Sequence, residues 1–175
     1  MIKDFKPRLY QETILSTCVE KNTLVVLPTG MGKTAVALLL TVQRLTHYPK
    51  SKILFLAPTK PLVEQHMQYF KQHLDFDEDK FVLFTGMVKP EVREKAWEKV
   101  QLIFSTPQGM ENDIISSRIK LEEVSLLVFD EAHRATGDYS YNFIAKQYNK
   151  LAKFPKILAL TASPGSDIEK INEII

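Results

Sequence analysis

The sequence predicts an α/β domain, a mostly parallel sheet covered by helices on both faces. Three observations carry that prediction. Strand-length runs rich in Val, Ile, Leu and Phe recur at Asn22–Leu27, Lys52–Ala57, Phe81–Phe84, Gln101–Ser105, Ser125–Asp130 and Lys156–Thr161. They are apolar at consecutive positions rather than alternating, as strands read when both faces of a sheet are covered. Helix-suited segments separate them: Lys33–His47, Pro61–Leu74, Pro90–Lys99, Gln108–Ser116 and Tyr141–Phe154, with Tyr10–Glu20 ahead of the first strand. Pro61, Pro90 and Pro107 fall at first-turn positions, where a missing N–H costs nothing. This alternation implies parallel crossovers, and in such folds ligands sit at the carboxyl ends of the strands.

Composition sets the bounds. The chain has 175 residues and 20.1 kDa, one domain of ordinary size, and its 45% apolar and 25% charged content excludes a disordered chain. A net charge of +2 decides nothing about nucleic acid. The single cysteine, Cys18, precludes an internal disulfide and fits a reducing compartment. Met1-Ile-Lys-Asp-Phe5 does not read as a signal peptide, and no apolar run approaches the roughly 18 residues of a membrane span. A soluble, intracellular, cytoplasmic domain is expected, without a membrane partner.

The first candidate site is Leu27-Pro28-Thr29-Gly30-Met31-Gly32-Lys33-Thr34, between the first strand and the longest helix. Gly30 and Gly32 let the loop wrap with its N–H groups inward, an anion nest at a helix N-terminus. Lys33 can reach β- and γ-phosphates, and the Thr34 hydroxyl can ligate Mg²⁺. The general phosphate-loop pattern has glycine where Leu27 stands, which weakens the match; the strand–loop–helix setting restores it. The second candidate is Asp130-Glu131 at the end of the run Ser125–Asp130. Asp130 at the strand tip would face the phosphate loop and hold the metal, while Glu131 could take a proton from an attacking water. A cradle, a metal and a group that orients the nucleophile are what phosphoryl transfer to water requires. His133 is ambiguous by itself.

Six ordered strings then resemble one family. They are Phe5-Lys-Pro-Arg-Leu-Tyr-Gln11, Pro28–Thr34, Ala57-Pro-Thr-Lys60, Ser105-Thr-Pro-Gln108, Asp130-Glu-Ala-His133 and Thr161-Ala-Ser163. Together they resemble the motifs of superfamily 2 helicases of DEAH-box type, in which Leu27 before Pro-Thr-Gly is usual. The longer strings Ala57–His66, Phe129–Tyr139 and Thr161–Gly165 are most similar to the archaeal Hef and Fanconi-anaemia M branch, which remodels forked and branched DNA. The RIG-I-like and Dicer relatives, which act on double-stranded RNA, share Asp130–His133.

The resemblance implies a three-layer RecA-like lobe, the first of two, across the whole chain. It implies that Arg8 and Gln11 read the adenine edge, with Phe5 near the base. Pro28, Thr29, Gly30, Met31, Gly32, Lys33 and Thr34 would bind ATP, and Thr34 and Asp130 the Mg²⁺. Lys33, Asp130 and Glu131 would be catalytic. Pro58, Thr59, Lys60, Thr85, Gly86, Thr106 and Gln108 would line the nucleic-acid track, and His133, Thr161 and Ser163 would couple the two sites. Hydroxyls, helix-start N–H groups and one lysine could grip phosphates without reading bases, while Ala57-Pro-Thr-Lys-Pro61 taken alone reads as a strand-to-helix turn with an N-terminal cap. The resemblance also implies partners beyond residue 175: a second lobe carrying arginine fingers and, in the parent, a sliding clamp or nuclease module. An archaeal protein of this kind would be nucleoid-associated. The last arginine is Arg134, so weak nucleotide binding and slow hydrolysis are expected of this chain alone.

Other readings compete. A double-stranded-RNA-dependent ATPase lobe fits the same motifs. A small-molecule kinase would not need Arg8, Gln11 or Thr161-Ala-Ser163, and an idle scaffold would have no physical reason to retain Lys33, Thr34, Asp130 and Glu131. Several residues read as structural: His47, His66 and His73 as surface positions, Cys18 as packing, Trp97 as cover for apolar surface and Asp75–Asp79 as a solvated loop. Lys146, Lys150, Lys153 and Lys156 read as a solvated face of the last long helix.

Overall fold

The computed structural model describes residues 2–3, 6–27, 32–85, 88–132 and 139–162. Six strands, β1 (Thr23–Val26), β2 (Lys52–Leu56), β3 (Phe81–Phe84), β4 (Leu102–Ser105), β5 (Val124–Phe129) and β6 (Ile157–Thr161), form one sheet. Its order is β1-β6-β5-β2-β4-β3, and every pairing is parallel. The helices are α1 (Leu9–Glu20), α2 (Lys33–His47), α3 (Lys60–His73), α4 (Pro90–Lys99), α5 (Pro107–Ile115) and α6 (Tyr139–Leu151). Pro61, Pro90 and Pro107 occupy the first turns of α3, α4 and α5, and Thr59 caps α3 by accepting from the Leu62 N–H at 3.4 Å.

Consecutive strand residues serve opposite faces, which explains the unbroken apolar runs. Ile53, Phe55, Phe104, Leu126 and Val128 pack with Val36 and Leu40 of α2 and Val63 and Phe70 of α3. Leu54, Leu56, Ile103, Leu127 and Phe129 pack with Met110 of α5 and Tyr141, Ile144 and Tyr148 of α6. The result is three layers, helices–sheet–helices, with all of β2 and β5 buried.

Polar groups stitch the amino-terminal edge of the sheet. Buried Arg44 donates from Nε to the Ser125 carbonyl at 2.8 Å and from Nη2 to the Phe154 carbonyl at 2.7 Å. Burial lowers its pKa from the ordinary guanidinium value. Lys52 donates from Nζ to the carbonyls of Trp97 and Val100 and lies over the Trp97 ring, and burial lowers its pKa as well.

Two expectations are corrected here. The last long helix ends at Leu151 rather than Phe154, because the chain turns to present the Phe154 carbonyl to Arg44. Lys156 therefore lies beyond the helix and is buried, its Nζ donating to the Val19 carbonyl at 3.0 Å; only Lys146, Lys150 and Lys153 are solvated. Cys18 and Trp97 are core residues, the latter donating from Nε1 to Glu123 at 3.2 Å.

On the far side, fully buried Asp113 accepts from Arg93 at two points, both 2.7 Å, and from Arg118 Nε at 3.0 Å. Arg93 also donates to the Val88 carbonyl, so one carboxylate fixes α4, α5 and the segment entering α4. Removing one partner of a buried ion network leaves uncompensated charge, at a cost of about 3–5 kcal/mol. Asp113→Ala should lower the unfolding free energy by that amount in urea denaturation, and a wild-type midpoint would refute the assignment.

Candidate nucleotide and nucleic-acid site

Parallel pairing brings all six strand ends to one edge, and the sheet order sorts the candidate residues along it. Leu27 leaves β1, Thr161 closes β6, Asp130 follows β5, and then come Pro58–Lys60 after β2, Thr106–Gln108 after β4 and Thr85 after β3. The nucleotide candidates thus occupy the β1-β6-β5 half and the track candidates the β2-β4-β3 half.

Gly32 opens α2 with φ +77°, a left-handed conformation that favours glycine. A Cβ there would lie 2.4 Å from Gln11 Nε2, so this position also admits a close approach that a side chain would obstruct. Gln11 is buried; its Oε1 accepts from the Arg8 N–H at 2.9 Å and its Nε2 donates to the Gly32 carbonyl at 3.4 Å. The start of α1 is thereby tied to the end of the phosphate loop. Arg8 is exposed and donates from Nη1 to the Tyr10 hydroxyl at 3.3 Å. Lys33 turns back into the loop, its Nζ donating to the Leu27 carbonyl at 3.3 Å, while the Leu27 N–H donates to the Thr161 carbonyl at 3.2 Å.

Asp130 is held at three points. Its N–H donates to the Leu56 carbonyl at 2.8 Å, its carbonyl accepts from the Tyr141 hydroxyl at 2.8 Å, and its Oδ2 lies 2.7 Å from His66 Nε2. His66 Nδ1 in turn lies 3.3 Å from Thr34 Oγ1. This corrects the surface reading of His66: the ring is buried against Phe55, centroids 4.6 Å apart, and joins the two candidate metal-holding residues. The spacing of Val63, Met67 and Phe70 on α3 is the one sequence signal that turns residue 66 inward. Glu131 follows with φ +56°, a left-handed backbone that a non-glycine residue adopts at a cost. That turn directs Glu131 away from the course of β5.

A hydroxyl and a carboxylate linked through one histidine are hard oxygen donors, which suits Mg²⁺. No cluster of three or more His, Cys, Asp or Glu capable of holding a metal occurs among the described residues. Thr34 Oγ1 and the Asp130 carboxylate would supply two of the oxygens such a cation takes.

On the track half, Thr59 and Lys60 are exposed at the start of α3, with Lys60 Nζ 3.9 Å from Glu64 Oε1. Gln108 is exposed in the first turn of α5, Thr106 is half-buried at its N-cap, and Pro58 is half-buried. Thr85 is buried and its carbonyl accepts from the Val88 N–H at 3.0 Å. Phe5, Pro28, Thr29, Gly30, Met31, Gly86, His133 and Ser163 lie outside the described residues.

The Gly32 geometry yields a test. An alanine there would bear roughly 1–2 kcal/mol of left-handed strain and displace the Gln11 amide. Gly32→Ala should lower the thermal midpoint and weaken nucleotide binding; an unchanged melt and affinity would show that the loop does not use this conformation.

Comparison with known proteins bears on the same features. The profile of the DEAD/DEAH box helicase family matches residues 8–171. A Methanocaldococcus jannaschii protein, provisionally named an ATP-dependent RNA helicase, is 48% identical over 172 residues, covering 98% of this chain and 22% of its own. The ATP-dependent DNA helicase MPH1 of Candida albicans is 40% identical over 172 residues, covering 98% of this chain and 14% of its own. The crystal structure of the Pyrococcus furiosus Hef helicase domain superposes with a TM-score of 0.91 at 53% identity, over 97% of this chain and 35% of that one. This chain thus spans about a third or less of each of these proteins. The helices–sheet–helices lobe is the RecA-like fold of that Hef domain, and the chain belongs to the DEAD/DEAH box helicase family, among relatives of the Hef, Fanconi-anaemia M and Mph1 kind.

Proposed function

We propose that this chain is the ATP-binding lobe of a DNA helicase or translocase that acts on forked or branched DNA. The observation that carries the reading is the division of one sheet edge: Lys33, Thr34 and Asp130 on the β1-β6-β5 half, and Thr59, Lys60, Thr106 and Gln108 on the β2-β4-β3 half. A motor needs nucleotide and strand on a common rigid support, and this edge supplies one.

In this reading Lys33 exchanges the Leu27 carbonyl for phosphate oxygen, and the loop amides take the rest of the phosphate charge. Thr34 and Asp130 hold Mg²⁺, which when bound neutralises charge developing on the β- and γ-phosphates. Glu131, directed by its left-handed backbone, takes the proton of the water attacking the γ-phosphate. Arg8 and Gln11, with Phe5, sit at the base end, and Gln11 reports on the loop through Gly32. Thr161, hydrogen-bonded through its carbonyl to Leu27, joins His133 and Ser163 in coupling the two halves. Pro58, Thr59, Lys60, Thr85, Gly86, Thr106 and Gln108 contact the sugar-phosphate backbone. A second lobe of the same polypeptide completes the nucleotide site with arginine fingers; a clamp or nuclease module belongs to the parent protein. No helix among the described residues is long and apolar enough to cross a membrane, in keeping with action on nucleic acid in the cell interior.

Relatives named DNA helicases favour DNA, while the M. jannaschii name keeps double-stranded RNA as the second reading. The deciding experiment measures ATP hydrolysis by this chain and by a longer one that includes the second lobe. Forked DNA, duplex DNA and double-stranded RNA are compared at one fixed salt, because affinity for phosphate backbones falls steeply with ionic strength. Fork-stimulated turnover by the longer chain alone is expected, and stimulation by RNA instead would transfer the protein to the RNA-dependent reading. No stimulation by any of the three would refute the motor.

Two substitutions accompany it. Lys33→Ala should abolish nucleotide binding in a fluorescence titration. Glu131→Gln in the longer chain should retain binding and lose about 10²–10⁴-fold in hydrolysis, the usual contribution of a positioned general base.

A further inference from the structure

His66 is the buried polar group at the edge to which neither the motifs nor the reading above gives a role. It rides on α3, from a segment separate in sequence from both the phosphate loop and Asp130, yet it touches both. The contacts constrain where a neutral ring carries its hydrogen. A carboxylate oxygen only accepts, so Nε2 carries the hydrogen directed at Asp130 Oδ2. A neutral imidazole that donates from Nε2 must accept at Nδ1, so the Thr34 hydroxyl donates to it. That bond points the Thr34 hydrogen toward α3 and leaves the hydroxyl lone pairs for another partner. Likewise, Oδ2 of Asp130 is committed and Oδ1 remains.

We propose that His66 is a positioning residue that presets the Thr34 hydroxyl and the Asp130 carboxylate to receive the Mg²⁺ of a bound nucleotide. The proposal rests on the nucleotide reading given above. It assigns His66 no contact with the nucleotide; the ring acts through two neighbours that it holds in one donor–acceptor pattern. Groups that orient metal ligands in this way are commonly worth 10–100-fold in metal affinity. Packing against Phe55, behind a helix face formed by Val63, Met67 and Phe70, keeps the ring from rotating out.

Two measurements on the 175-residue chain test this. In the absence of metal, ¹⁵N NMR of the His66 ring should show the Nε2-protonated tautomer; an Nδ1-protonated ring would overturn the proposal. Titration with a fluorescent ATP analogue, with and without MgCl₂, is then compared for wild type, His66→Ala, His66→Gln and Lys33→Ala. His66→Ala should lose about tenfold or more of the affinity gained from Mg²⁺, with binding in EDTA unchanged. His66→Gln, whose amide reaches the former Nε2 position, should recover part of that loss and keeps the test valid if the alanine variant unfolds. Wild-type Mg²⁺ dependence in both folded variants would overturn the proposal. If wild type binds no nucleotide, or Lys33→Ala binds as well as wild type, the nucleotide reading itself falls and the proposal with it.

Discussion

Parallel strand pairing is the constraint on which everything else in this molecule depends. Each strand must be followed by a crossover that returns the chain to the opposite edge, so all six exits share one side. The sheet order then determines which exits are neighbours. β5 lies between β6 and β2, so Asp130 stands between Thr161 and the Pro58–Lys60 segment along that edge. Its N–H is bonded to Leu56 and its carbonyl to Tyr141, which fixes the backbone from which the carboxylate projects, while His66 holds the carboxylate itself.

Stability and site share little material. The two cores bury their apolar residues against opposite faces of the sheet, and Arg44, Lys52 and Lys156 secure the amino-terminal edge far from the chemistry. These cations are buried, yet each donates to backbone carbonyls, so their desolvation is offset by charge-assisted hydrogen bonds. The Asp113 network does the same on the far flank. At the carboxyl edge stand Gly32 and Glu131 in left-handed conformations and Gln11 with both amide atoms engaged, while the other left-handed residue among those described, Ser117, follows α5.

The layers were legible in the sequence because their signals are local. Consecutive apolar positions such as Ile53-Leu54-Phe55-Leu56 mark a strand buried on both faces, and each helix-starting proline falls in its first turn. Two candidate positions were legible in their local geometry alone: Gly32, where φ is positive, and Asp130, at a strand tip. What could not be read is whatever depends on a tertiary partner. His66 looks like any polar residue of a helix, and its partners Thr34 and Asp130 are 32 and 64 residues distant. Lys156 reads as part of a solvated helix face, because only the fold ends the helix early and brings the Val19 carbonyl to its Nζ. The Arg93–Asp113 pair, 20 residues apart on two helices, carries no pattern at all.

The bond from Lys33 to the Leu27 carbonyl has a consequence for selectivity. The bond engages one of the ammonium's three N–H donors, so an incoming ligand competes with the Leu27 carbonyl for that donor. A neutral oxygen that takes that donor only exchanges one carbonyl-type bond for another. An anionic oxygen makes a hydrogen bond roughly twice as strong and displaces the competitor. In the proposed nucleotide site, the Lys33–Leu27 bond would thus favour an anionic oxygen over a neutral one.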